Sequence, residues 1–120
     1  MSLACLRYTS YLVSTSYDRP LYEAVAAFLP CIWLYWEIAW LLKDSCCGKY
    51  RSWFESNASP EFTKNVQSYL DLIETIAAKL DENSKAKLDT HFLNCCQMEY
   101  SFWDAAYNYK RWEELLSISN

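Results

Sequence analysis

Apolar positions recur at steps of three and four along most of the chain. Phe62, Val66, Tyr69, Ile73, Ile76 and Leu80 form one such row, with Lys64, Asp71 and Lys79 on the opposite face. This period predicts a long amphipathic helix. Leu88, Phe92, Cys95, Glu99, Phe102, Ala106 and Tyr109 form a second row and predict a last helix. Near the start, Ala4, Tyr8, Tyr11 with Leu12, and Thr15 predict a first helix over 3–15. Residues 24–42, AVAAFLPCIWLYWEIAWLL, are apolar all round. They predict a central helix reaching about Lys43, which must be covered on every side.

The punctuation between these runs is sparse. Tyr17-Asp18-Arg19-Pro20 reads as a break, with Asp18 as cap and Pro20 in the first turn of the next helix. Asp44 to Gly48 reads as a loop, Tyr50 to Ser56 as a short helix, and Asp81 to Ser84 as a polar turn. Ser59-Pro60 opens the fourth helix as cap and first helical residue. The chain has 120 residues, one Gly and three Pro. Asn-Gly and Asp-Gly hairpin signals are absent, as are the glycine-rich phosphate loops. The expectation is one all-helical domain over 1–120.

Charge and cysteines narrow the function. A net charge of −4 argues against a nucleic-acid partner. The central apolar run is long enough to span a bilayer, but Glu37, Pro30 and the lack of flanking basic clusters favour a soluble bundle. Met1 to Arg7 does not read as a signal peptide. The six cysteines therefore read as reduced thiols in the cytoplasm. Cys46-Cys47 and Cys95-Cys96 are adjacent pairs without zinc-ligand spacing, so no metal is expected. A thiol-redox role for one of these pairs is an alternative. Aromatics make up 18% of the chain, enough to line a large core, a pocket or an interface.

Two residues stand out chemically. Glu99 occupies a seam position between Cys95 and Phe102, where burial raises a carboxyl pKa and suits it to general-acid work. The other reading is a buried Glu bonded to a Tyr or the backbone. Cys31 follows Pro30 at an expected kink and is either a reactive thiol or a small core residue. Glu37, six residues on, reads as a second site carboxylate or the partner of a buried Tyr. His91 has no second His to share a metal. Trp33, Tyr35, Trp36 and Trp40 read as core rather than pocket.

A resemblance to a known family sharpens these roles. Ala26-Ala27-Phe28-Leu29-Pro30-Cys31-Ile32-Trp33-Leu34-Tyr35-Trp36-Glu37 resembles the nucleophile helix of the TenA (thiaminase II) family. Tyr8-Thr9-Ser10, Tyr50-Arg51-Ser52-Trp53 and Glu99-Tyr100-Ser101-Phe102-Trp103 resemble its other motifs, in the family's order. The similarity runs from Tyr8 to Trp112. It implies a haem-oxygenase-like helical bundle without haem, of about five helices here. It implies hydrolysis of aminopyrimidines, thiamin or aminomethyl-aminopyrimidine, to hydroxymethylpyrimidine in thiamin salvage, with no cofactor. By matched position Cys31 would be the nucleophile and Glu99 the proton shuttle. Tyr8 would hold thiol and ring, Phe102 would pack on the ring, and Tyr35 and Glu37 would line the site. Asn57 stands where the family commonly has an active-site Tyr.

The resemblance lacks the family's amino-terminal half, which supplies a pyrimidine-binding Asp and a stacking Tyr. The pocket would then be completed by oligomerisation, as in the family's tetramers, or by a complementary amino-terminal half. A pyrimidine-binding chain with impaired catalysis is the corresponding alternative.

Overall fold

Helices are the regular elements throughout the described residues. The computed structural model describes residues 1–45 and 48–109. The Cys46-Cys47 pair and Trp112 lie outside them. The order is α1 (Leu3–Asp18), α2 (Leu21–Phe28), α3 (Pro30–Leu42), a 3-10 turn (Gly48–Tyr50), α4 (Arg51–Asn57), α5 (Pro60–Ala77) and α6 (Glu82–Tyr107). This is the all-helical architecture that the periodicity predicts. Helices α2 and α3 are the two arms of one apolar helix. Leu29 joins them in helical conformation, with φ −55° and ψ −43°.

Local chemistry sets the boundaries. The Ser59 hydroxyl accepts from the Phe62 N–H at 3.1 Å, and Pro60 takes the first helical position, as expected. Two boundaries differ. Asp18 does not cap the second helix: it is the last residue of α1, and Pro20 occupies the cap position without a side-chain bond. The proline disfavours helix at the residue before it, so Arg19 is extended; α1 runs three residues past the expected Thr15, and the cap falls two residues later than expected. Asp81 to Ser84 is not a free turn. The Asp81 carboxylate accepts from the Ser84 N–H at 2.7 Å and starts α6 at Glu82.

Packing places three helices around one seam. Tyr8 meets Glu99 while Tyr11 meets His91, so α1 runs antiparallel to α6. Glu23 meets His91 while Tyr35 meets Trp103, so the α2–α3 arm runs parallel to α6. Small residues let these helices approach closely: Ala26, Ala27, Ala39 and Cys95 are almost wholly buried. The described residues measure 51 × 40 × 19 Å, so the molecule is about two helices thick. Among the described residues the apolar helix is consequently not covered on every side. Leu21–Leu42 is long and apolar enough to cross a membrane, and only 28% of its most apolar window is buried.

Candidate active site

The break in the helical hydrogen-bond ladder at Pro30 creates the setting of Cys31. Proline has no N–H to donate, so the regular ladder is interrupted there. The Ile32 N–H donates to the Leu29 carbonyl at 3.1 Å, a tightened i to i−3 turn. The Phe28 carbonyl, one residue back, then accepts from the Cys31 thiol at 2.8 Å. Burial, followed by the nearby charge of Glu99, pushes the Cys31 pKa up, while Tyr8 and a backbone bond oppose the rise. Cys31 therefore rests as a neutral thiol.

Glu99 is 4% exposed and faces this thiol from α6. The Tyr8 hydroxyl donates to its Oε1 at 2.8 Å. Its Oε2 is buried with no hydrogen-bond partner among the described residues. Burial raises the Glu99 pKa, with Tyr8 and Trp103 opposing. Burial and the bond to Glu99 also hold Tyr8 in its neutral form well above the ordinary tyrosine range. Tyr8 gives its one proton to the Glu99 carboxylate, and Cys31 packs against the same cluster. The three groups form one coupled unit from α1, α3 and α6.

An aromatic wall adjoins this unit. The Trp103 indole N–H donates to the Tyr35 hydroxyl at 3.1 Å, with ring centroids 5.2 Å apart. Trp53 of α4 lies 6.0 Å from Tyr35 and 6.5 Å from Trp103. Burial raises the Tyr35 pKa, with the Trp103 hydrogen bond opposing and the charges of Glu99 and Cys31 adding to the rise. Tyr35 is thus site wall as well as packing. Trp33 packs on Phe92 at 5.7 Å, and the Trp36 indole donates to Thr63 at 3.0 Å, so those two act as core. Phe102 is half-buried beside Trp103.

Two expected site residues do not join. Glu37 is exposed. At about 100° per residue, a position six residues beyond Cys31 is turned about 120° away from it on the helix. The Asn57 amide donates to the Trp53 carbonyl at 2.9 Å, closing its own helix instead of facing a ligand. Cys95 is buried in the cluster of Tyr8 and Ala27, against which Cys31 packs. Burial, followed by the proximity of Cys31, pushes the Cys95 thiol up to about 12, which suits packing rather than redox work. Groups of His, Cys, Asp and Glu that could hold a metal are absent among the described residues.

Sequence reasoning missed one buried carboxylate. Glu23, 3% exposed, bonds His91 Nε2 at 2.7 Å, and His91 Nδ1 meets the Tyr11 hydroxyl at 2.7 Å. Its signal was available: Glu23 is the one charge in the apolar run of α2, as Glu99 is on its own seam.

Comparison with known proteins bears on this geometry. The model of the TENA/THI-4/PQQC family matches residues 1–109. A protein of Halalkalibacterium halodurans named aminopyrimidine aminohydrolase is 37% identical over 111 residues, covering 89% of this chain and 50% of that protein. Proteins of the same name from Helicobacter pylori and Bacillus subtilis are 30% and 28% identical, covering 51% and 46% of their lengths and 88% and 89% of this chain. The chain spans about half the length of these curated relatives.

Proposed function

Since this chain belongs to the TENA/THI-4/PQQC family, we propose that it carries the thiol and proton-transfer half of an aminopyrimidine hydrolase of the thiaminase II type. The observation that carries this reading is the placement of the Tyr8 hydroxyl on Glu99 at 2.8 Å, beside the half-buried thiol of Cys31. The substrate class is an aminopyrimidine, thiamin or aminomethyl-aminopyrimidine, and the product is hydroxymethylpyrimidine.

The chemistry follows from the resting states. A neutral thiol next to an unpartnered carboxylate oxygen can lose its proton to that oxygen as it attacks. Cys31 sulfur forms a bond to a ring carbon. The proton now on Glu99 passes to the leaving nitrogen as the exocyclic C–N bond breaks. Water then adds at the exocyclic carbon and gives one proton to Glu99; the C–S bond breaks with its electrons on sulfur, and Glu99 passes that proton to the sulfur, which restores the thiol and the carboxylate. The sum is replacement of an amine by a hydroxyl, with no redox change. Tyr8 steadies the carboxylate and the sulfur in turn, and Phe102 and Tyr35 furnish flat apolar surface for the ring.

The domain is read as a single helical unit of a larger family fold. Its pocket is completed by a second copy or by a complementary amino-terminal half, in the cytoplasm. A second reading, pyrimidine binding with impaired turnover, is favoured by one observation: the chain spans about half the length of its curated relatives. The test is to incubate the protein with thiamin and with aminomethyl-aminopyrimidine and to follow hydroxymethylpyrimidine by mass spectrometry. Product is expected from the wild type and not from Cys31→Ala. Glu99→Gln is expected to lose at least about 100-fold, the usual scale for removing a proton-transfer group. A folded wild type that binds either compound without turnover would replace the hydrolase reading with the second one.

A further inference from the structure

We infer that the chain Glu23–His91–Tyr11–Asn94 is a positioning network that holds Tyr8 on Glu99, and through Tyr8 sets the reactivity of the Cys31 thiol. The inference rests on the proposed roles of Tyr8, Cys31 and Glu99.

The network is directional and crosses three helices. Asn94 Nδ2 of α6 donates to the Tyr11 hydroxyl oxygen of α1 at 3.3 Å. The Tyr11 hydroxyl also meets His91 Nδ1 of α6 at 2.7 Å, and in the tautomer whose Nδ1 accepts, Tyr11 is the donor. With Nδ1 accepting, the neutral ring carries its proton on Nε2 and donates it to Glu23 Oε2 of α2 at 2.7 Å. The His91 and Glu23 side chains are 14% and 5% exposed. A buried polar chain is costly when any member goes unpaired, so its satisfied geometry is strongly preferred over a slipped one.

The position of this chain gives it a use. Tyr11 lies three residues from Tyr8 on the same face of α1. His91 lies eight residues, about two turns, from Glu99 on α6. The network and the Tyr8–Glu99 bond are therefore two rungs of the same antiparallel seam. Tyr8 is buried with Ala27 and Cys95, and Tyr11, Leu12, Cys31 and Met98 pack against this cluster; from α2, α3 and α6 the side chains are thus alanine or sulfur-bearing. Such surfaces allow sliding, and the three hydrogen bonds one turn away are what resists it. Glu23 ties the same rung to α2, whose continuation carries Cys31. Cys31 packs against the cluster that Tyr8 forms with Ala27 and Cys95, and Tyr8 gives its proton to the Glu99 carboxylate beside it. That bond tempers the negative charge which opposes thiolate formation at Cys31. A displaced Tyr8 withdraws that bond and slows the thiol.

The test reads the thiol directly and needs no turnover. Peptide-resolved mass spectrometry follows iodoacetamide labelling of Cys31 from pH 6 to 10 in the full chain. Tyr11→Phe keeps the ring and removes the hydroxyl. It is expected to slow Cys31 labelling about threefold at pH 8 and to move the profile to higher pH. In a Tyr8→Phe background the same change is expected to do nothing further, because the effect passes through Tyr8. Glu23→Gln retains an acceptor for His91 and is expected to behave as wild type, whereas Glu23→Ala is expected to match Tyr11→Phe. A merely structural network would lower the melting temperature in all these variants and leave the Cys31 profile in place, which overturns the inference. So does an equal shift with and without Tyr8. A shift that depends on Tyr8, in a protein that forms no hydroxymethylpyrimidine, upholds the network and rejects the hydrolase reading. Product formation with an immobile profile does the reverse.

Discussion

Glu99 is held at a cost that depends on pH. Its folded pKa is raised by burial, so the folded state binds its proton more tightly than the unfolded chain does. For a carboxyl raised in this way the sign is the opposite of the usual ion-paired case. The penalty is absent below the unfolded pKa. It grows as pH rises through the interval up to the folded pKa and is complete above it. Glu99→Gln keeps an acceptor for the Tyr8 hydroxyl and removes the charge. As pH rises above the ordinary carboxylate range, the melting temperature of the wild type is expected to fall relative to that of Glu99→Gln. Calorimetric scans of the two proteins across that rise check this, and parallel curves would contradict it. The same residue shows what was legible beforehand. Its position on an apolar seam marked it without any coordinates, and Pro30 marked Cys31. Glu37 had an equally suggestive position in a run of apolar residues, yet it faces solvent. An apolar sequence marks burial only where another helix covers that face, and the covering is not written locally.

At the scale of an element, the α2–α3 helix, with its ladder broken at Pro30, ties fold to chemistry. Pro30 sits at the first position of α3, where a missing N–H costs little. Pro30→Ala restores a donor for the ladder and allows Ile32 to reclaim the Phe28 carbonyl, the acceptor of the Cys31 thiol. Stability is expected to change by no more than about 1 kcal/mol, well under the roughly 3 kcal/mol of a proline inside a regular helix. Product formation is expected to fall at least about tenfold, because the thiol loses its orientation. Thermal melts and turnover measured on the same preparation separate the two effects, and unchanged turnover would remove the break from the mechanism. Elements were read well where period and caps agreed, as with Ser59-Pro60 and α5. They were misread where a capping residue had two possible helices to serve. Asp18 could have started the second helix but ended the first, because nothing before Pro20 stopped α1. The Glu23–His91 pair was invisible for another reason. It joins residues 68 apart, and no local pattern announces a long-range partner.

At the scale of the molecule, the missing quantity is cover. A body 19 Å thick has two helix layers, and an apolar helix in such a body keeps one flank in water. Leu21 and Leu41 on this helix are 77% and 75% exposed, and Val13 and Tyr17 on α1 are 68% and 94% exposed. These apolar side chains lie at both ends of the α2–α3 helix and along α1, uncovered by the described residues, and exposed apolar surface of this kind favours association. The net charge of −4 is small opposition to contact between copies. The chain on its own is therefore expected to associate through the α2–α3 flank. Light scattering should then return a mass at least twice 14.2 kDa. Leu41→Lys should shift that mass toward the monomer, since the lysine places a strongly hydrated charge in the contact. Added peptide from the amino-terminal half of a full-length relative should displace the second copy if both cover the same flank. A wild type that stays monomeric at every concentration and binds no hydrophobic dye would mean that the flank rearranges to cover itself. In that case the geometry of the Cys31 site, which hangs from the same helix, would have to change with it.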